Sequence, residues 1–282
     1  MEIHSMRAAA TTGANFAWRC IVCGATMSES SEKVACERCD RAYPIRDNLI
    51  VVQEQMEHNN RVARDFYNSP LWPLFRFWEQ LFILSQGGER PARDQILRNL
   101  PQEENLRLLD VAVGDGVYLE WLPQSWSIVG VDISASQLSA CREKVAGRDI
   151  RLVLGEAEHL PLHDGQFDAA VSMGGFNHFN DPEAALREMA RVVRPGGKIV
   201  VSDEAPAIFS QLPGHKYGIP CLMLFERWVV SDVLHLGAEF TNVLARSSQL
   251  DIAGIGRKVL ADSHFSWIWG GGGYILTGTS PG

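Results

Sequence analysis

Four of the six cysteines in this 282-residue chain fall into two Cys-x-x-Cys pairs, Cys20 with Cys23 and Cys36 with Cys39, twelve residues apart. Thiolates are soft ligands. Four of them make the tetrahedral set of a closed structural zinc site, with no position left for a catalytic water. The pairs read "CIVCG" and "CERCD". Gly24 suits the left-handed turn that aims backbone N–H groups at a thiolate, and Asp40 is the next most tolerant residue for it. Two thiol–disulfide pairs, or an unbound set, are the alternatives, but a redox motif has no need of a duplicate at this spacing. The expectation is one Zn2+ held by Cys20, Cys23, Cys36 and Cys39. A ribbon of about 35 residues buries too little core to fold alone, so the metal would supply folding free energy. Cys141 and Cys221 stand singly in apolar settings and are expected to be buried small hydrophobes.

A second constellation lies in "LLDVAVGDGVYLEWL", where an apolar run ends at Asp110, passes a glycine-containing turn and opens a short helical pattern that stops at Pro123. Twenty-two positions after Asp110, Asp132 closes the next apolar run. This is the layout of a Rossmann-type nucleotide site, in which backbone approaches the ligand at the glycines and the acid accepts from ribose hydroxyls. Plain turn glycines are the bland alternative for Gly114 and Gly116. Val117, Tyr118 and Leu119 follow Gly116, so the third glycine of a dinucleotide fingerprint is missing. A ligand with adenosine and ribose but no pyrophosphate, such as S-adenosylmethionine, has less need of that crowded approach.

The elements that would position these residues alternate. "LRLLDVAV", "WSIVGVDI", "IRLVLGE", "FDAAVSM" and "KIVVSDE" read as strands, with helical periodicity in "SASQLSACREKVA" and "DPEAALREMARVV" between them. Asp181 can cap, Pro182 suits a first turn, and "RPGG" stops the helix. Such alternation predicts an α/β fold with a doubly wound, mostly parallel sheet. "EFTNVLARSSQ" and "GGGGYILTGTS" read as two further strands, and "YPIRDNLIVVQ" as one short strand completing the ribbon. Between ribbon and sheet, seven aromatics crowd residues 66–82, broken by Arg76, Glu79 and Gln80 at helical spacing, with Pro70 and Pro73 placing the start. That helix could pack on the core, form a lid over an apolar substrate, or make a peripheral membrane contact. The division expected is a ribbon at 17–56, an aromatic helical cap at 57–100, and a ligand-binding domain at 101–282 with an insertion at 205–228.

Residues 108–204 resemble class I S-adenosylmethionine-dependent methyltransferases, near the ubiquinone and menaquinone biosynthesis branch. The likeness rests on four motifs in order: "LDVAVGDG", "VGVDIS", "GEAEHLPLHDGQFDAAVSM" and "HFNDPEAALREMARVVRPGGKIVVSD". Ala112 replaces the usual first glycine, and Asp115 stands where a small hydroxyl residue is usual. The resemblance implies a Rossmann-like, seven-stranded sheet with S-adenosylmethionine as cofactor. It places Asp132 on the ribose, Ile133 on adenine, and Glu156 with Ala157 at the adenine edge. Asp110, Gly114 and Gly116 would floor the methionine moiety, with Ala112 and Met173 also at the cofactor. His178, in "GGFNHFND", is the candidate general base, or else packs or caps the following helix; His215 and Tyr217 are weaker candidates. A zinc ribbon joined to such a domain also resembles ribosomal RNA guanine methyltransferases.

Composition weighs these readings. Hydrophobic residues make up 46% and charged residues 21%, which suits a globular protein with a core. Net charge is −8, and residues 17–56 hold five Lys or Arg against six Asp or Glu. A zinc with four thiolates makes that ribbon more negative still, whereas an RNA-binding module should be basic. The expectation is therefore a methyltransferase for a small, partly apolar molecule. An RNA methyltransferase and a noncatalytic binding protein on a degenerate domain are the alternatives. Neither a secretory h-region in 1–18 nor a membrane-length apolar run is apparent, so a cytoplasmic location is expected. Oligomeric state is left open.

Overall fold

The computed structural model describes residues 15–205, 217 and 219–282. The opening segment, most of the first half of the 205–228 insertion and His215 lie outside the described residues. From the amino end run β1 (Trp18–Arg19), β2 (Thr26–Glu29), β3 (Lys33–Cys36), β4 (Ala42–Arg46) and β5 (Leu49–Val51), then helices α1 (His58–Tyr67), α2 (Leu71–Ser85) and α3 (Glu89–Leu97). The alternating part holds β6 (Arg107–Val111), β7 (Ser127–Asp132), α4 (Ala135–Lys144), β8 (Ile150–Leu154), β9 (Phe167–Met173), α5 (Pro182–Val192) and β10 (Val193–Glu204). Helices α6 (Pro220–Trp228), α7 (Ala238–Ser247) and α8 (Ile252–Val259) precede the closing strands β11 (Ala261–Ile268) and β12 (Gly273–Thr279).

Seven of these strands stand in the order β8-β7-β6-β9-β10-β12-β11, parallel from β8 to β10, with β12 antiparallel to both neighbours. Side chains alternate across the sheet: Leu109, Val129, Val131, Ala170, Ile199 and Val201 join one core, whereas Leu108, Ile128, Ala169, Val171 and Val200 join the other. Two buried faces explain the continuous apolar runs of these strands. Ser134 and Asp181 cap α4 and α5, accepting from the N–H groups of Gln137 and Ala184.

Three expectations need correction. The sheet does not stop at seven strands, because β5 pairs parallel with β8 and the ribbon strands continue it to twelve among the described residues. "YPIRDNLIVVQ" is not one strand but the hairpin β4–β5, turned at Asp47 and Asn48, whose φ angles of 49° and 62° suit a tight two-residue hairpin turn. "EFTNVLARSSQ" is helical, forming α7, and the remaining edge strand is β11, which runs antiparallel to β12.

Trp18, Met27, Val34 and Tyr43 of the ribbon share one core with Leu186 and Met189 of α5. The ribbon thus rests on the sheet's own helix layer. A third apolar cluster joins Ala63 and Phe66 of α1 to Leu236, Phe240 and Leu244, with Leu71, Trp72, Phe75 and Ile133 packed against it. Phe66 and Phe240 stack at 4.2 Å. The aromatic segment therefore forms the expected helix and is only half absorbed by packing: Phe77 and Leu84 on α2 remain 55% and 67% exposed. No helix among the described residues is long and apolar enough to cross a membrane.

Candidate active site and metal centre

The carboxyl ends of β6, β7 and β9 open into a cleft roofed by α1, α2 and α3. Its floor is the loop after β6, wound by three left-handed residues, Ala112 (φ 60°), Gly114 (φ 54°) and Gly116 (φ 65°). A side chain at Gly116 would put its Cβ 2.6 Å from the Cys141 Sγ, so this glycine lets the loop pack on α4. Ala112, where the resembling family has glycine, holds a conformation costing a non-glycine residue about 1 to 2 kcal/mol. Its methyl fills the space over Gly175, where an added Cβ would lie only 2.3 Å away.

Asp132, buried at the end of β7, accepts from the Gly114 N–H at 2.8 Å and the Ser134 N–H at 2.8 Å. These contacts fix its carboxyl at the cleft wall. Burial pushes its pKa up to about 6, against the opposing pull of those amides. Asp132, Ile133, Ala112, Gly114, Ala157, Met173 and His178 all line the cleft. Asp110, Gly116 and Glu156 do not. Asp110 lies beneath the loop and accepts from the Tyr118 hydroxyl at 2.8 Å on both oxygens, with burial pushing its pKa up to about 8. Glu156 is turned toward Asn60 Nδ2, 3.1 Å away, and Gly155 takes the wall position beside it. Asp115 ion-pairs with Lys144 at 2.7 Å; burial alone would raise its pKa, but Lys144, Arg76 and Arg93 hold it below the usual carboxylate range.

His178 ends a short 3₁₀ turn, Phe176–His178. It is buried at 4% exposure, its ring centroid is 4.8 Å from that of Phe240, and neither ring nitrogen has a hydrogen-bond partner among the described residues. Burial pushes its pKa down to about 4, so the imidazole is neutral at physiological pH. Tyr217 is 69% exposed, outside this wall, and Cys221, expected inside, is exposed, whereas Cys141 is buried as expected.

Tyr67 on the wall belongs to the aromatic segment expected as a lid, whereas no motif points to Arg76, Glu79, Arg93 or Glu204 as wall residues. In the sequence Arg76 and Glu79 stand out only as interruptions of an aromatic run. They pair with each other at 3.2 Å, and Arg93, paired within α3 to Glu89 at 2.8 Å, reaches Glu79 at 3.9 Å. The available signal was a pair of opposite charges three residues apart on an otherwise apolar helix.

The four ribbon sulfurs converge, all within 4.8 Å of one another, with Cys20 to Cys39 at 3.7 Å and Cys23 to Cys36 at 3.5 Å. Sulfurs about 2.3 Å from a tetrahedral zinc would stand about 3.8 Å apart, so this donor set fits that ion. The backbone N–H groups of Arg38 and Cys39 each approach the Cys36 Sγ at 3.4 Å. Gly24 adopts the left-handed conformation expected of it (φ 71°), but Asp40 does not.

Residues 109–201 match the family model described as a methyltransferase domain. A demethylmenaquinone methyltransferase of Corynebacterium kroppenstedtii is 36% identical over 122 residues, 43% of this chain and 52% of the relative. A ubiquinone/menaquinone biosynthesis C-methyltransferase of Geobacter sulfurreducens is 34% identical over 167 residues, 56% of this chain and 64% of the relative. The chain thus spans about half to two thirds of these relatives' length. Phosphoethanolamine N-methyltransferase 2 of Haemonchus contortus, solved with S-adenosyl-L-methionine, has a TM-score of 0.52 over 86% of this chain and 62% of its own at 13% identity, a likeness of fold. With the seven-strand order and the cleft at the strand ends, residues 109–201 are thus similar to a methyltransferase domain.

Proposed function

We propose that the protein is an S-adenosylmethionine-dependent methyltransferase acting on a small, partly apolar molecule, with a structural zinc in its ribbon. The observation that carries this reading is Asp132, a carboxylate pinned by two backbone amides at the end of β7, on the wall of the cleft. The cleft chemistry fits the cofactor: an acceptor for ribose hydroxyls, Ile133 and Ala157 as apolar adenine contacts, and Ala112, Gly114 and Met173 nearer the methionine end. The cofactor supplies a methyl group on a sulfonium, so the leaving group is neutral and needs no acid. What remains for the chain is to hold the acceptor in attack geometry and to exclude water. Tyr67, Trp72, Phe75 and Phe179 give the acceptor side apolar walls. His178 takes a proton where the acceptor carries one at neutral pH. The ribbon, 17–56, and the helical cap, 57–100, serve domain 101–282 as platform and roof. Cys20, Cys23, Cys36 and Cys39 hold the zinc, which has a folding role.

Asp132→Ala removes charge-assisted hydrogen bonds worth about 1.5 to 3 kcal/mol, so S-adenosylmethionine affinity is expected to fall roughly 10- to 150-fold with the fold intact. Titration calorimetry of both proteins measures this, and equal affinities would contradict the assignment. The wild-type affinity should also weaken as pH falls through about 6, where the Asp132 carboxylate takes up a proton and ceases to accept.

A further inference from the structure

The side-chain amide of Asn60 is held at one atom and left open at the other. Asn60 lies in the first turn of α1, only 1% exposed, and lines the cleft. Its Nδ2 donates to Glu156 Oε1 at 3.1 Å and to Glu158 Oε2 at 3.2 Å. A carboxylate only accepts, so these two contacts decide which end of the amide is nitrogen. The end left over is Oδ1, which is buried and has no hydrogen-bond partner among the described residues. Its surroundings are tied down. The Asn60 N–H donates to Asn180 Oδ1 at 3.1 Å, and Glu158 Oε1 in turn accepts from the Asn180 N–H at 2.8 Å and the Asp181 N–H at 3.2 Å. This corner belongs to the cleft wall: Glu156 stands between Gly155 and Ala157, which both line the cleft, so its contact with Nδ2 fixes the carboxamide beside that stretch.

Resting on the methyltransferase reading above, we propose that Asn60 is a specificity-determining residue, its Oδ1 accepting a hydrogen bond from the exocyclic 6-amino group of the cofactor's adenine. A buried acceptor without a donor is costly, and the amino group supplies that donor. Glu156, the acid that the motif order puts at the adenine edge, is turned to Asn60 instead, and with Glu158 it acts through the amide as a positioning residue. The pair of acids has a consequence for selectivity. Adenine carries a donor at its 6-position, a purine with hydrogen there offers Oδ1 nothing, and hypoxanthine sets a carbonyl oxygen against it, acceptor facing acceptor. A singly held asparagine could turn over and present its NH2 group to that oxygen. With Nδ2 held by two carboxylates the amide keeps its orientation, so the 6-oxopurine is rejected and not accommodated.

The test is calorimetry on the full chain with three ligands: S-adenosylhomocysteine, its analogue with hydrogen in place of the 6-amino group, and S-inosylhomocysteine. Wild type is expected to bind the adenosyl compound roughly tenfold more tightly than the 6-hydrogen analogue and roughly 100-fold more tightly than the inosyl compound. Asn60→Ala should weaken the adenosyl compound about tenfold and bring it level with the 6-hydrogen analogue, whose own affinity stays near its wild-type value. Glu156→Ala should keep the preference for adenine, because Glu158 still holds Nδ2. Equal binding of the adenosyl and 6-hydrogen compounds by wild type, or a preference that survives in Asn60→Ala or is lost in Glu156→Ala, would overturn the role given to Asn60. So would equal weakening of all three ligands in Asn60→Ala, the mark of a purely structural tie. An Asn60→Ala chain that does not fold leaves the decision to the wild-type and Glu156→Ala comparisons. In each of these cases binding of S-adenosylhomocysteine to wild type leaves the methyltransferase reading standing, whereas failure of all three ligands to bind wild type would overturn both.

Discussion

Cys36→Ser is expected to strip the metal from the ribbon and unfold it locally. Structural zinc sites of this type contribute roughly 10 to 16 kcal/mol of apparent binding free energy, which a small ribbon converts into folding free energy. The strands here are short, two residues in β1 and four each in β2 and β3, so their ladders hold little by themselves. Trp18, Val34 and Tyr43 nevertheless sit in the core shared with α5. Loss should therefore begin in the cysteine loops and lower the stability of the sheet edge, sparing the cleft. Elemental analysis should find about one zinc per wild-type chain and none in the variant, with new protease cleavage between residues 20 and 40. Wild-type protein purified without chelators that holds no zinc, with Cys20 and Cys23 oxidised, would contradict the site.

His178→Ala should lower turnover by about 10²-fold or more with near-normal cofactor affinity. Its two ring nitrogens are buried and have no partner among the described residues, a costly arrangement unless a ligand satisfies one of them. The sign of the pH dependence follows from its environment. Burial holds the folded pKa down to about 4, so the wild-type imidazole is unprotonated across neutral pH. The variant's deficit should shrink as pH rises, because the acceptor then ionises without help. Rates measured from pH 6 to 10 check this, and wild-type turnover at every pH would return His178 to a packing role. Stability carries the linked signature. Between about 4 and 6.5 the unfolded histidine binds a proton that the folded one refuses, so its contribution to stability is lost as pH falls through that window.

The alternating centre of the fold was legible because its strands are buried on both faces and its helices carry their own caps. "LLDVAV" and "FDAAVSM" have little alternative as buried strands, and Asp181–Pro182 marks a helix start from sequence alone. The paired cysteines were legible for a different reason: ligand spacing is local, and the sulfurs meet within the ribbon itself. The errors lie where tertiary placement decides. Phe240, Thr241, Val243, Leu244 and Ser247 are the buried positions of α7, a helical spacing that the β-branched and aromatic content of "EFTNVLARSSQ" concealed. The true edge strand, "ADSHFSWI", buries only Ile268 fully and so lacks the apolar run of an inner strand. The cleft wall was half legible. Asp132 and His178 follow motifs, whereas Glu204, Arg93 and Glu79 reach the cleft from three separate elements whose meeting no local pattern records.

Hydrogen–deuterium exchange of the wild-type chain with and without S-adenosylmethionine tests most directly the claim that this cleft is the cofactor site. The expected result is slowed exchange in peptides covering residues 110–118, 131–135 and 155–157, with the ribbon around Cys20 to Cys39 unchanged. Saturating cofactor that leaves those three loops unaltered would contradict it.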